Sequence, residues 1–112
     1  MNQTWGPIYW NFLHTMSFLY PDKPTNEIKK VHKDFLQNLP NLLPCNICKQ
    51  HLLSIYKEYP ITNQIFKNKD TFSFYIYQLH NRVNVELNKK NYIPYSQIKS
   101  QYTETTCKCH QL

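Results

Sequence analysis

The sequence predicts an all-α fold, a four-helix bundle with a short fifth helix, and three observations carry that prediction. Apolar residues recur at i, i+3, i+4 and i+7 through four long segments. Prolines at Pro21 to Pro24, Pro40 to Pro44, Pro60 and Pro94 fall between those segments, where they punctuate helices rather than interrupt them. A chain of 112 residues, 41% hydrophobic and 15% aromatic, has room for one core.

The first helix places Trp5, Ile8, Tyr9, Phe12, Leu13, Met16, Leu19 and Tyr20 on one face, with Trp10 and His14 stacked one turn apart on the neighbouring edge. The second begins near Thr25, has Glu27 in its first turn, buries Ile28, Val31, His32, Phe35, Leu36 and Leu39, and stops at Pro40. The third runs from Pro44, in the first helical turn, to about Tyr59. Its inward stripe is Cys48, His51, Leu52, Ile55, Tyr56 and Tyr59, with Cys45 one turn before Cys48. In the fourth segment Thr71 to Leu79 alternates like a strand and is rich in β-formers. Helix is the better reading, because Phe72, Tyr75, Ile76, Leu79, Val83 and Leu87 keep helical spacing for longer than a strand lasts. A fifth helix over Tyr95 to Tyr102 carries Tyr95, Ile98 and Tyr102 on one side. Residues 1–103 therefore read as one domain, and 104–112 as a flexible tail with Cys107 and Cys109.

Composition excludes several functions. Gly6 is the only glycine, so no glycine-rich phosphate loop is available. Thirteen basic against seven acidic residues give a net charge of +6, but Arg82 is the sole arginine and the lysines are scattered. That is a poor footprint for nucleic acid, and none is expected as a partner. No stretch reaches the roughly 18 apolar residues of a membrane span, and Met1-Asn2-Gln3-Thr4-Trp5 does not read as a secretory signal. A domain this small commonly needs a staple, a cofactor or a partner subunit.

Cys45-Asn46-Ile47-Cys48 is the strongest local signal for chemistry. At a helix start, unpaired N–H groups and the helix dipole favour thiolate and prepare a sulfur for disulfide exchange. The same spacing serves a zinc half-site, completed by His51, Cys107, Cys109 and His110 in a small helical binding module. Spacing alone leaves the two readings level. Redox is favoured because Cys48 lies on the inward stripe, a pair separated by one residue chelates zinc poorly, and a mobile tail suits electron transfer between sites. No metal is expected. Trp10 with His14 is by default ordinary core packing, and His80, Asn81 and Asn84 by default a solvated helix face. Taken with the cysteine pair, they outline a flat aromatic pocket with polar edges, suited to a stacked ring cofactor with an anionic tail.

The order Trp5-Gly6-Pro7, Trp10-x-x-Leu13-His14-Thr15, Tyr20-Pro21, Leu43-Pro44-Cys45-x-x-Cys48 and His80-Asn81-x-Val83-Asn84-x-x-Leu87-x-Lys89 resembles the Erv/ALR-type FAD-linked sulfhydryl oxidases, in particular the compact versions encoded by large DNA viruses. The resemblance spans Trp5 to Tyr102 and implies a bundle that holds FAD at its mouth, usually as a homodimer. It implies cofactor contacts from Gly6, Trp10, His14, Tyr20, Cys48, His51, His80, Asn81, Val83, Asn84, Leu87, Lys89 and Tyr102, the lysine near the pyrophosphate. Cys48 would be the flavin-proximal thiolate that attacks the isoalloxazine C4a position, and Cys45 the sulfur attacked by the incoming dithiol. Oxygen would be the final acceptor, releasing hydrogen peroxide, and Cys107 with Cys109 would relay electrons to Cys45. Implied partners are protein dithiols, from a thioredoxin-like carrier or a client protein. A viral origin would place the enzyme in the host cytoplasm or the virion. No cysteine lies between Cys48 and Cys107 to tie the bundle to its tail, so FAD and a second subunit would supply the missing stability.

Overall fold

Local capping decides where the helices begin. The computed structural model describes residues 5–87 and 93–106, the last three as backbone, so Lys89, Cys107, Cys109 and His110 lie outside the described residues. Among the described residues five α-helices follow one another: α1 (Gly6–Phe18), α2 (Asn26–Asn38), α3 (Asn46–Glu58), α4 (Lys69–Glu86) and α5 (Tyr95–Thr106). Short 3-10 turns at Leu39–Leu42 and Asn63–Phe66 join α2 to α3 and α3 to α4. Thr25 caps α2 by accepting the Ile28 N–H at 3.2 Å, and the helix ends just before the 3-10 turn that holds Pro40.

The ambiguous fourth segment is helical throughout, and a reciprocal cap begins it. The Asn68 side chain accepts the Thr71 N–H at 2.9 Å while the Thr71 hydroxyl accepts the Asn68 N–H at 3.1 Å. This reciprocal pair occupies two backbone donors that a helix start leaves unpaired. Asn68→Ala is expected to cost about 1 kcal/mol of stability. Urea unfolding checks this, and an unchanged midpoint would count against the cap.

Leu13, Leu36, Leu52, Ile55, Phe66, Phe72, Ile76 and Leu79 form the centre of the bundle and are almost wholly excluded from solvent. Tyrosine hydroxyls tie helices to carbonyls on the connecting segments and neighbouring helices. Tyr20 donates to Phe66, Tyr56 to Leu36, Tyr75 to Tyr59 and Tyr77 to Ile93, each at 2.7 Å. A core rich in tyrosine thereby keeps its polar tips satisfied. Phe18, Tyr77, Ile98 and Tyr102 make a second cluster that seats α5 on α1 and α4.

One face differs from the expected one. In α1, Ile8 is 66% and Phe12 56% exposed, whereas Trp10 and His14 are 6% and 1% exposed. α1 is apolar over most of its circumference, so periodicity alone does not choose the inner side. Packing of both α4 and α5 against α1 rotates the buried face onto Trp10, Leu13, His14, Ser17 and Phe18. Leu19 and Val31, also expected inside, are likewise exposed. Ile8 and Phe12 instead border an open apolar groove of about 630 Å³ with Tyr9, Leu13, Phe35, Leu39 and Leu42.

Candidate active site

The cysteine pair is set by a proline and a cap. Pro44 disfavours helical backbone at the residue before it, and Leu43 is extended at ψ 139°. Cys45 is extended too, at φ −154° and ψ 130°, and forms the N-cap of α3. Pro44 therefore precedes the helix instead of sitting in its first turn. Cys45 Sγ accepts the Cys48 N–H at 3.1 Å, so a sulfur stands where helices usually carry a serine or aspartate oxygen.

Hydrogen bonds from the Cys48 side chain and backbone hold the Cys45 thiol below its ordinary pKa. Burial, together with the neighbouring Cys45, pushes the Cys48 thiol up. Both cysteines are free and half-buried. They are thus unequal in proton affinity at close quarters, as two sulfurs with different tasks would be.

Cys48 faces a cleft of about 300 Å³ between α3 and α4, lined also by His51, Leu52, Ile55, Val83, Glu86 and Leu87. A second depression of about 230 Å³ opens among Tyr77, His80, Asn81, Asn84, Ile93 and Ile98. α4 serves both, because His80, Val83, Asn84 and Leu87 recur at helical spacing along it.

An aromatic wall stands beside them. Trp10 stacks on His80 at 4.2 Å with the rings 9° from parallel, and the His14 ring lies 5.0 Å from both His80 and Tyr102. His14 Nε2 and His80 Nδ1 share a hydrogen bond of 2.8 Å, and the Tyr102 hydroxyl donates to Asn11 Oδ1 at 2.6 Å. Burial, and then the charge of His80, lower the His14 pKa to about 3. His14 Nδ1 is buried with no hydrogen-bond partner. Such an orphan costs on the order of 1–3 kcal/mol and calls for an explanation.

Of the residues singled out in the sequence, the structure brings Trp10, His14, His80 and Tyr102 into contact, and places Cys48, His51, Val83 and Leu87 around one cleft. Asn81 and Asn84 border the adjoining depression. Tyr20 is turned elsewhere, its ring against His32 and Phe72 and its hydroxyl on Phe66. Gly6 is buried in the first turn of α1. Sequence reasoning missed Asn11 and the ion-pair chain Glu58, Arg82, Glu86. Arg82 Nε donates to Glu58 at 2.8 Å and Arg82 Nη2 lies 3.3 Å from Glu86. The signal for Arg82 and Glu86 was their spacing of four on one helix. Nothing local pointed to Glu58. Among the described residues, no group of three His, Cys, Asp or Glu could hold a metal ion, and no helix is long and apolar enough to cross a membrane.

A family model described as Erv1 / Alr matches residues 7–103. The chain belongs to the Erv1/Alr family. An FAD-linked sulfhydryl oxidase of African swine fever virus is 32% identical over 93% of this chain and 84% of its own length. The FAD-linked sulfhydryl oxidase of Arabidopsis thaliana is 30% identical over 91% of this chain and 51% of its own length. The crystal structure of the FAD binding domain of Erv1 from Saccharomyces cerevisiae superimposes with a TM-score of 0.81, at 22% identity, over 91% of this chain and 93% of that one. That likeness establishes the helical fold. In this Erv1/Alr chain the residues fit a flavin dinucleotide on their own account. Asn81 and Asn84 offer amide edges beside the Trp10–His80 ring stack, and the buried His14 Nδ1 lacks a partner that a polar cofactor atom can supply.

Proposed function

We propose that this Erv1/Alr chain, an FAD-linked thiol oxidase, forms disulfides in protein dithiols, with Cys45 as the sulfur that substrate attacks and Cys48 as the one that passes two electrons onward. The observation that carries this reading is the placement of the pair. Cys45 caps the start of α3 and does not line the cleft, while Cys48 faces the cleft between α3 and α4.

Each residue then has a task. A substrate thiolate attacks Cys45 Sγ, the Cys45–Cys48 bond breaks, and Cys48 leaves as a thiolate. The second substrate thiol, deprotonated, displaces Cys45 and closes the substrate disulfide. The helix N–H groups around Cys45 stabilise the negative charge it then carries. Trp10, His14, His80 and Tyr102 would hold the rings of the cofactor, and Asn81, Val83, Asn84, Leu87 and Lys89 its remaining length, with Gly6 and His51 close by; Tyr20 is committed to the core instead. Bound FAD supplies the two-electron acceptor, and its reoxidation by molecular oxygen yields hydrogen peroxide.

Residues 1–103 would form the catalytic domain, and Cys107 with Cys109 a relay from protein substrates, within one subunit or across two. Substrates would be a thioredoxin-like carrier or a client protein, met in a host cytoplasm or virion. The apolar groove beside Ile8 and Phe12 supports a homodimer, since it is the kind of surface that a second subunit covers.

The purified protein is expected to be yellow, and to consume oxygen and release hydrogen peroxide when given a small dithiol. The visible flavin absorbance and an oxygen electrode read both. A colourless protein with about one zinc per chain and no oxygen uptake would overturn the reading in favour of a zinc-stabilised binding module.

A further inference from the structure

The thiolate released at Cys48 needs a partner that keeps it unprotonated. Cys48 must act as a thiolate, yet burial and Cys45 both favour its protonated form. The cleft that it faces is walled by Leu52, Ile55 and Val83, which are almost fully buried. Its other titratable side chains are His51, one turn along the same face of α3, and Glu86, which crosses from α4.

Glu86 divides its two oxygens. Oε1 pairs with Arg82 Nη2 at 3.3 Å, and Oε2 lies 4.0 Å from His51 Nδ1. Arg82 is itself held from the other side by Glu58 at 2.8 Å. The chain Glu58, Arg82, Glu86, His51 thus begins on α3, crosses α4 and returns to α3 at the cleft.

We propose that His51 accepts the Cys48 proton, directly or through one water, and that Glu86, oriented by Arg82, is the positioning residue that stabilises the resulting imidazolium. The step is Cys48–SH plus neutral His51 giving Cys48–S⁻ plus His51–H⁺, with no change in electron count. After substrate has opened the Cys45–Cys48 bond, a proton that reaches Cys48 from the substrate thiols passes to His51, and the charge pair keeps Cys48 a thiolate. This rests on the reading of Cys48 as the flavin-proximal sulfur. The groups that face His51 and Cys48 are Glu86 from α4 and Cys45 from α3, with Arg82 and Glu58 behind Glu86.

The test reads the thiol itself. In a Cys45→Ser chain purified with its flavin, the rate of Cys48 alkylation by iodoacetamide is followed against pH. Adding His51→Asn is expected to raise the midpoint by about one pH unit, roughly a tenfold loss of reactive thiolate at neutral pH. Adding Glu86→Gln is expected to raise it by a smaller amount. Midpoints unchanged in both chains, with flavin retained, would overturn the proposal. The underlying reading fails separately, through turnover that survives Cys48→Ser, whatever the alkylation curves show.

Discussion

Replacing Cys48 by serine is expected to lower dithiol oxidation by at least about a thousandfold, in the range seen when a covalent participant is removed from an enzyme. Without Cys48 no Cys45–Cys48 bond can form, so an incoming substrate thiolate has no disulfide to attack. Cys45→Ser removes the same bond and is expected to lose steady-state turnover equally. Serine is close to cysteine in size, and the fold should survive because neither sulfur belongs to the almost fully buried centre formed by residues such as Leu52 and Ile55. Oxygen uptake with a small dithiol, measured beside the flavin spectrum, checks both variants. More than a tenth of the original rate in Cys48→Ser, with flavin still bound, would remove Cys48 from the electron path.

The second large effect is on acid stability. His14 stays neutral in the folded chain until about pH 3, whereas in the unfolded chain it takes up a proton near pH 6.5. Between those values the unfolded state binds more protons, so stability is fully present above about pH 6.5 and falls as the pH drops through the window. From pH 7 to pH 4 the loss from this one side chain is on the order of 3 kcal/mol, a large share of the 5–15 kcal/mol typical of a folded domain. Urea unfolding at the two pH values measures it, with His14→Gln as the comparison because an amide does not titrate there. Equal acid losses in the parent and variant would show that His14 is not the group responsible.

His14 also shows where reading the sequence stopped. Its spacing from Trp10 was plain, and so was the motif containing His80, but nothing in the chain announces that the two imidazoles meet at 2.8 Å across 66 residues of sequence. Helical periodicity found the fourth helix despite its β-branched and aromatic content, because four turns of spacing outweigh local strand propensity. Periodicity failed on α1, where apolar residues ring most of the helix. It could not say that Phe12 faces outward while His14 is buried. The cysteine pair was legible as a motif. The N-cap role of Cys45 was not, because it depends on the extended backbone of Cys45 itself and on the Cys48 N–H that its sulfur accepts.

The residue pattern by itself determined the number and order of the helices, the Cys45–Cys48 pair at the start of the third, and membership of a thiol oxidase family. Those properties live in spacing and in short motifs, which survive without knowledge of what packs on what. Tertiary structure alone decided which side of α1 is buried, that Trp10, His14, His80 and Tyr102 form one wall, and that Cys48 shares a cleft with His51 and Glu86. Those are meetings between helices distant along the chain, and they depend on how each helix is rotated in the bundle. That rotation comes from the total fit of the core, with α5 covering a side of α1 that no local pattern marks as inner.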